Sequence, residues 1–179
     1  PDINPDATEI NDDGIDQDCD GVDGTSSTAL YDAEDLEYGS LIVTEIMNDT
    51  VMVSEGVGEW FEVYVNYPYE VDLIGLVLSD LGSDSITVSS SLVVQPGEYV
   101  VFGANTDTTA NGGITVDYDF GSFSLGNSDD EIILSNSTTT IDDVEYDGGP
   151  LFPSTPGAAM SLDPAATDEG VVFRLDVAK

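Results

Sequence analysis

The chain has no histidine and only one cysteine, Cys19. Catalysis by Ser-His-Asp or Cys-His arrangements is therefore excluded, as are zinc sites of the His/Cys kind. A lone cysteine makes no internal disulfide, and in a secreted setting an unpaired thiol points to a missing partner. Basic residues are nearly absent too. Arg174 and Lys179 stand against 37 acidic residues, for a formal charge of -35 over 179 residues. Nucleic-acid backbones and anionic membrane surfaces both call for Lys and Arg, so neither is expected as a partner. No apolar run is long enough to span a bilayer, which argues against direct membrane insertion. No signal peptide is visible at Pro1, and the expectation is a mature or trimmed fragment. No window carries a sustained helical period.

What is present suffices for a core. Apolar residues make up 40% of the chain, and the length suits one domain with an appendage. Self-repulsion among so many carboxylates opposes compaction unless counter-ions relieve it. Divalent cations are one relief and a high-salt setting another.

Residues 1–24 form a dense acidic stretch with little to bury beyond Ile3, Ile10, Ile15 and Val22. Alone it is expected to be disordered, and its order is expected to come from metal. The core signal is Asp16-Gln17-Asp18-Cys19-Asp20-Gly21-Val22-Asp23. Oxygen ligands at alternate positions followed by Gly match the first half of an EF-hand-type calcium loop. Alternate side chains of an extended or turning backbone point into one concavity, and Gly21 permits the sharp turn. The Val22 carbonyl and the Asp23 carboxylate close the shell. Asn11, Asp12 and Asp13 lie just upstream, and Asp2, Asn4 and Asp6 repeat the alternate spacing. The candidate ligands are Asp2, Asn4, Asp6, Asp12, Asp16, Asp18, Asp20, Val22 and Asp23. Oxygen-only ligation favours Ca2+ over zinc or copper, and magnesium fits less well because it retains waters. The plainer reading is an acidic, solvated linker, but a generic charge run does not place Gly after three alternating Asp.

The stretch DATEINDDGIDQDCDGVDG closely resembles a metal-binding repeat of secreted bacterial surface proteins, and it is similar to the calcium loops of thrombospondin type 3 repeats. That repeat usually opens with an Asp-Cys-Asp-Asp segment, which is missing here. The resemblance implies that the partner of Cys19 lay upstream.

Residues 25–39 read as a linker with a short helical turn. From Leu41 the texture is that of an all-β chain with many short strands and frequent turn signals, which indicates a sandwich or barrel. Strands are expected at 41–47, around Trp60, in 71–80, and at 85–88, 92–94, 99–103, 114–120, 131–135, 141–146, 158–162 and 171–177. Residues 51–53 read as a short strand or loop edge. The segment Gly58-Glu59-Trp60-Phe61-Glu62-Val63-Tyr64-Val65 holds the only tryptophan and reads as a central strand, with Trp60 as its apolar anchor. The pieces in order resemble the lamin-tail domain, an immunoglobulin-like β-sandwich. They are Ile42 to Ile46, Gly58 to Tyr64, Val71 to Gly75 through Asp80, Gln95 to Val101, Ser124 to Leu134, Ile141 to Tyr146 and Pro156 to Leu162. The resemblance covers 40–164 and leaves 165–179 as a C-terminal strand or extension. Val65 intervenes where the family often has Asn, which predicts a bulge or a longer strand.

Glu45, Glu59 and Glu62 are the carboxylates best suited to glycoside hydrolysis, but strand hydrogen bonding is the plainer use. Asp72, Asp80, Asp84, Asp107, Asp117, Asp119, Asp129 and Asp130 lie in or near turns, where two or three could bind a second calcium; Asp142, Asp143 and Asp147 flank the Tyr146 strand. Tyr67, Tyr69, Tyr99, Phe102, Tyr118, Phe120 and Phe123 are candidates for a carbohydrate platform, though packing is the commoner role. Asn48-Asp49-Thr50 and Asn136-Ser137-Thr138 are glycosylation sequons. The reading is a non-enzymatic, calcium-binding structural or adhesion module, extracellular or on a cell surface. Its expected partners are calcium ions, and other copies or surface proteins joined by strand addition at 171–177. The alternative is an accessory or carbohydrate-binding domain of a secreted hydrolase.

Overall fold

The computed structural model describes residues 3–4, 15–17, 19, 30–149, 152–153 and 155–162, together with the backbone of 173–176. Among these residues the chain folds into an all-β, immunoglobulin-like sandwich. The strands are β1 (Tyr31–Asp32), β2 (Leu41–Met47), β3 (Trp60–Val65), β4 (Val71–Asp72), β5 (Val77–Ser79), β6 (Ser85–Thr87), β7 (Val93–Val94), β8 (Tyr99–Gly103), β9 (Tyr118–Asp119), β10 (Asp130–Ser135), β11 (Thr140–Tyr146), β12 (Ala159–Leu162) and β13 (Phe173–Asp176). A 3-10 turn (Ala33–Asp35) and a one-turn helix, α1 (Glu55–Gly58), complete the set.

Three sheets result. One runs β13-β12-β2-β3-β8-β9, a second runs β11-β10-β5-β6, and a small third runs β1-β4-β7. The first two carry the core between them. Strict alternation places Phe61, Val63 and Val65 of β3 inward, with Trp60, Glu62 and Tyr64 on the opposite face. Phe61 is fully buried and stacks on Phe102 (5.3 Å between centroids) and Phe120 (6.0 Å). Trp60, expected as the anchor, is only half-buried on the outer face, and Phe61 fills that role. The strand was read correctly but its phase was not: a one-residue offset on a period of two exchanges core for surface.

The predicted irregularity near Val65 also resolves. β3 runs on to pair Val65 with Leu41, so it is a longer strand. The register shift lies on the partner, where Val43 faces Val63 and Glu45 faces Glu62, leaving Thr44 as the extra residue of β2. Its hydroxyl bonds the Glu62 carboxylate at 2.8 Å.

Residues 31–36, read from sequence as linker, are built into the sandwich. β1 pairs in parallel with β4. Asp32 and Asp35 cap the 3-10 turn reciprocally, at 2.9 Å to the Glu34 N–H and 3.0 Å from the Asp32 N–H. That turn delivers Ala33 and Leu36 to the core, both essentially inaccessible. Residues 51–53 are loop, and the alternation of 114–120 yields only β9. The C-terminal strand, expected to be unpaired, lies antiparallel against β12 from Ala159↔Asp176 to Leu162↔Phe173.

Candidate functional site

Of the predicted metal ligands, Asn4 and Asp16 are described; Asp2, Asp6, Asp12, Asp18, Asp20, Val22 and Asp23 lie outside the described residues. The Asn4 N–H donates to the Gln17 carbonyl at 2.8 Å, so the chain at position 4 meets the chain at position 17. Gln17 is buried, so this contact has an interior. Cys19 has a φ of 64°, a left-handed turn that a non-glycine residue seldom adopts, and its thiol is exposed and free. The main-chain bond places Asn4 beside the Gln17 carbonyl, one residue on from Asp16. These are hard oxygen donors. Within 1–24 the sole sulfur is Cys19, and there is neither histidine nor methionine. That donor chemistry fits Ca2+ and suits copper poorly. Asn4 and Asp16 would contribute from the two sides of the contact between Asn4 and Gln17.

On the sandwich, the described carboxylates turn mostly to backbone amides, in a chain with only two basic residues to 37 acidic ones. Asp72 is the fullest case. It accepts from the Ser91 hydroxyl (2.7 Å), the Leu92 N–H (2.8 Å) and the Ile74 N–H (3.0 Å). Burial pushes its carboxyl up, but these three bonds outweigh burial and hold it below its usual value. Asp84 takes the Ser124 N–H at 3.1 Å, and Asp80 takes the Asp84 N–H at 2.9 Å. Asp107, Asp119 and Asp147 each cap a turn two residues on. Asp117 takes the Val101 N–H, and Asp129 the Ser128 hydroxyl. Asp142, on β11, reaches across to the Val43 N–H of β2 at 2.7 Å, and burial raises its pKa to about 6. Asp143 is exposed. No group of three metal-ligating side chains forms among the described residues, so the acidic turns are scattered over the fold.

Two of the three glutamates singled out from sequence accept hydrogen bonds within the sandwich, Glu62 from the Thr44 hydroxyl and Glu59 from the Leu125 N–H. Glu45 and Glu62 oppose each other across β2 and β3. Glu59 is buried, and its carboxylate accepts from the Leu125 N–H at 3.1 Å. Around it the loop at 125–127 is held from several sides. Gly126 N–H donates to Asp130 at 2.6 Å, while the Gly126 carbonyl accepts from Asn48 and from the Tyr146 hydroxyl, both at 2.9 Å. Asn127 donates to Glu55 at 2.6 Å. Burial, reinforced by Glu55 and Asp130, raises the Glu59 pKa to about 7 against the pull of the Leu125 bond. Sequence reasoning missed Asn48 and Tyr146 as members of this network; no local pattern announces a contact made across the sandwich.

Both sequons are committed elsewhere. Asn48 is buried in that network, and Asn136, also buried, donates to the carbonyls of Ala33 and Leu36, each at 2.9 Å. Among the aromatics, Phe102, Phe120 and Phe123 are core. Tyr67 and Tyr69 pack with Tyr31, whose ring stacks on Tyr69 at 4.9 Å, and Tyr99 lies exposed beside Tyr64 at 5.1 Å. Tyr118 is hydrogen-bonded to Ser89.

Fold and site together define an immunoglobulin-like β-sandwich preceded by an oxygen-rich metal-binding segment. The Lamin Tail Domain model matches residues 34–148, and the chain belongs to that family. Residues 1–24 match a second model, described as "Putative metal-binding motif" and labelled copper-binding. No curated protein and no solved structure matches the chain.

Proposed function

We propose that the chain is a non-enzymatic, calcium-binding module of an extracellular or cell-surface protein, with a structural or adhesive role. The observation that carries this reading is the union of a hard-donor segment, joined to itself through Asn4 and Gln17, with a sandwich whose described carboxylates mostly serve its own backbone. Calcium is favoured over copper by the donor set alone. An ion bound only by the folded segment would stabilise it by mass action and stiffen its junction with the sandwich.

The test is calorimetric titration after chelation, on the whole chain and on a chain beginning at Leu30, which keeps β1 and the 3-10 turn intact. Calcium heat with the whole chain alone supports the reading. Calcium heat from both chains moves the site to the sandwich. Copper binding that calcium does not compete with overturns the choice of ion.

The exposed tyrosines favour one second reading, a carbohydrate-binding accessory domain of a secreted hydrolase. Tyr69 and Tyr99 are more than half exposed, Tyr69 with one ring neighbour, Tyr31, stacked on it. Glycan-array binding lost in Tyr69→Ala or Tyr99→Ala would select it.

A further inference from the structure

Where Met47 and Trp60 pair across β2 and β3, on the sheet face away from the core, a cleft of about 140 Å³ opens. Its apolar walls are Met47, Val51, Met52, Val53, Trp60 and Ile114. Two of these stand out into solvent: Val51 is 61% exposed and Met52 88%. The cleft's shape depends on close packing. A Cβ at Gly157 would lie 2.5 Å from Val51 Cγ2, and one at Gly58 would run into Val53.

The polar side chains on the cleft already have partners. The Thr50 hydroxyl donates to the Val53 carbonyl at 2.8 Å. Asn111 is buried, donates to the carbonyls of Asn105 and Ile114, and accepts from the N–H groups of Gly113 and Ile114. The Trp60 indole N–H makes no hydrogen bond among the described residues. A cavity of ~150 Å³ lined by apolar groups takes a ligand the size of benzene. The chemistry here therefore suits one aliphatic side chain over an indole face.

Charge decides what carries that side chain. Three acidic residues border the cleft by their main chain: the Asp49 carbonyl accepts from the Gly157 N–H at 2.7 Å, Glu55 opens the one-turn helix that ends on Gly58, and the Asp107 carbonyl accepts from the Asn111 N–H at 2.9 Å. The Glu55 and Asp107 carboxylates also accept from Asn127 and Thr109. All three belong to a chain of net charge -35. A second copy would bring the same charge against itself, and an acidic partner fares no better. A basic segment gains on approach and in register.

The geometry points to a docking site for a basic peptide segment of a partner protein, with one aliphatic side chain in the cleft on Trp60 and flanking Lys or Arg residues toward Asp49, Glu55 and Asp107. It stands apart from the metal-binding reading, since its contacts use neither residues 1–24 nor an ion.

Trp60 is the only tryptophan, so its fluorescence reports the cleft directly. Three synthetic peptides serve as probes on the whole chain: a leucine flanked by lysines, the same peptide with serine for leucine, and the same with glutamates for lysines. The leucine-lysine peptide is expected to shift Trp60 emission saturably, more weakly as salt rises. The serine peptide should bind about tenfold more weakly, the worth of one partly buried aliphatic side chain. The glutamate peptide should be silent. The exposed pair changed together, Val51→Ser with Met52→Ser, should cost the leucine peptide a similar factor while the urea midpoint holds. Equal binding of the leucine and serine peptides reduces the effect to general charge attraction and overturns the site. So does an absent emission shift, or a shift that follows protein concentration without peptide, which would make a second copy the occupant.

Discussion

The carboxylate of Glu59, just ahead of β3, accepts a hydrogen bond from the Leu125 N–H at 3.1 Å, joining positions 66 residues apart. The pair anchors a loop while confining a charge. Burial in the folded chain pushes the Glu59 pKa up from the ordinary 4.5 to about 7. Below the lower value both states are protonated and no penalty applies. Between the two the unfolded chain ionises first, so stability falls as pH rises, and the full penalty is in place above the folded pKa. Asp142 acts in the same sense between 3.8 and about 6. The urea midpoint should therefore fall as pH rises from about 5 to about 8, with a loss on the order of 1–3 kcal/mol. Glu59→Gln, which retains an acceptor for Leu125, should flatten much of that slope. An unchanged slope in the variant would remove Glu59 as its source.

Phe61 and Trp60 are neighbours with opposite roles. Phe61→Ala should cost about 3–5 kcal/mol, as for other buried aromatics. Trp60→Ala should cost about 1 kcal/mol or less by comparison, because its ring is only half-buried. Denaturant melts of the two variants settle the order. A larger loss at Trp60 would reverse the assignment of faces.

Asn136 holds the 3-10 turn from a hundred residues away. Asn136→Ala leaves the Ala33 and Leu36 carbonyls without their side-chain donor, at about 1–3 kcal/mol. Thr108→Ala, on an exposed residue outside that network, should change stability by less than about 0.5 kcal/mol. Amide exchange at residues 31–36 should accelerate in the first variant alone.

Chelation separates the acidic segment from the sandwich. If calcium orders residues 1–24, adding a chelator should lower the melting temperature of the whole chain and leave that of the chain from Leu30 unmoved. Equal shifts in both would place the ion on the sandwich.

The strands were legible wherever turn residues bracketed a run of β-formers, as in 41–47, 60–65, 99–103, 131–135 and 141–146. The family was legible from the order of such runs. What escaped was phase and long-range contact. Interleaving around Trp60 admits two registers, and the largest ring drew the wrong one; the choice is made by Phe102 and Phe120, distant in sequence. Residues 31–36 looked like linker with a short helical turn; the turn is there at Ala33–Asp35, while the two-residue strand before it carries no period to announce its pairing. Their place in the core is fixed by Val71 and Asn136. For the candidate site, the donor pattern at Asp16 to Asp23 was plain in sequence, while the contact that joins Asn4 to Gln17 is main-chain and leaves no side-chain signature.

The Asp72 arrangement, a carboxylate held by nearby amides and a hydroxyl, has an environmental consequence. Concentrated brine usually erodes favourable ion pairs while it shields unfavourable ones, and the two effects offset. A sandwich whose described carboxylates bond amides and hydroxyls, in a chain with two basic residues, has few such pairs to lose. Its melting temperature should climb steadily with sodium chloride, making this a domain at ease where ordinary, lysine-rich proteins gain nothing from salt.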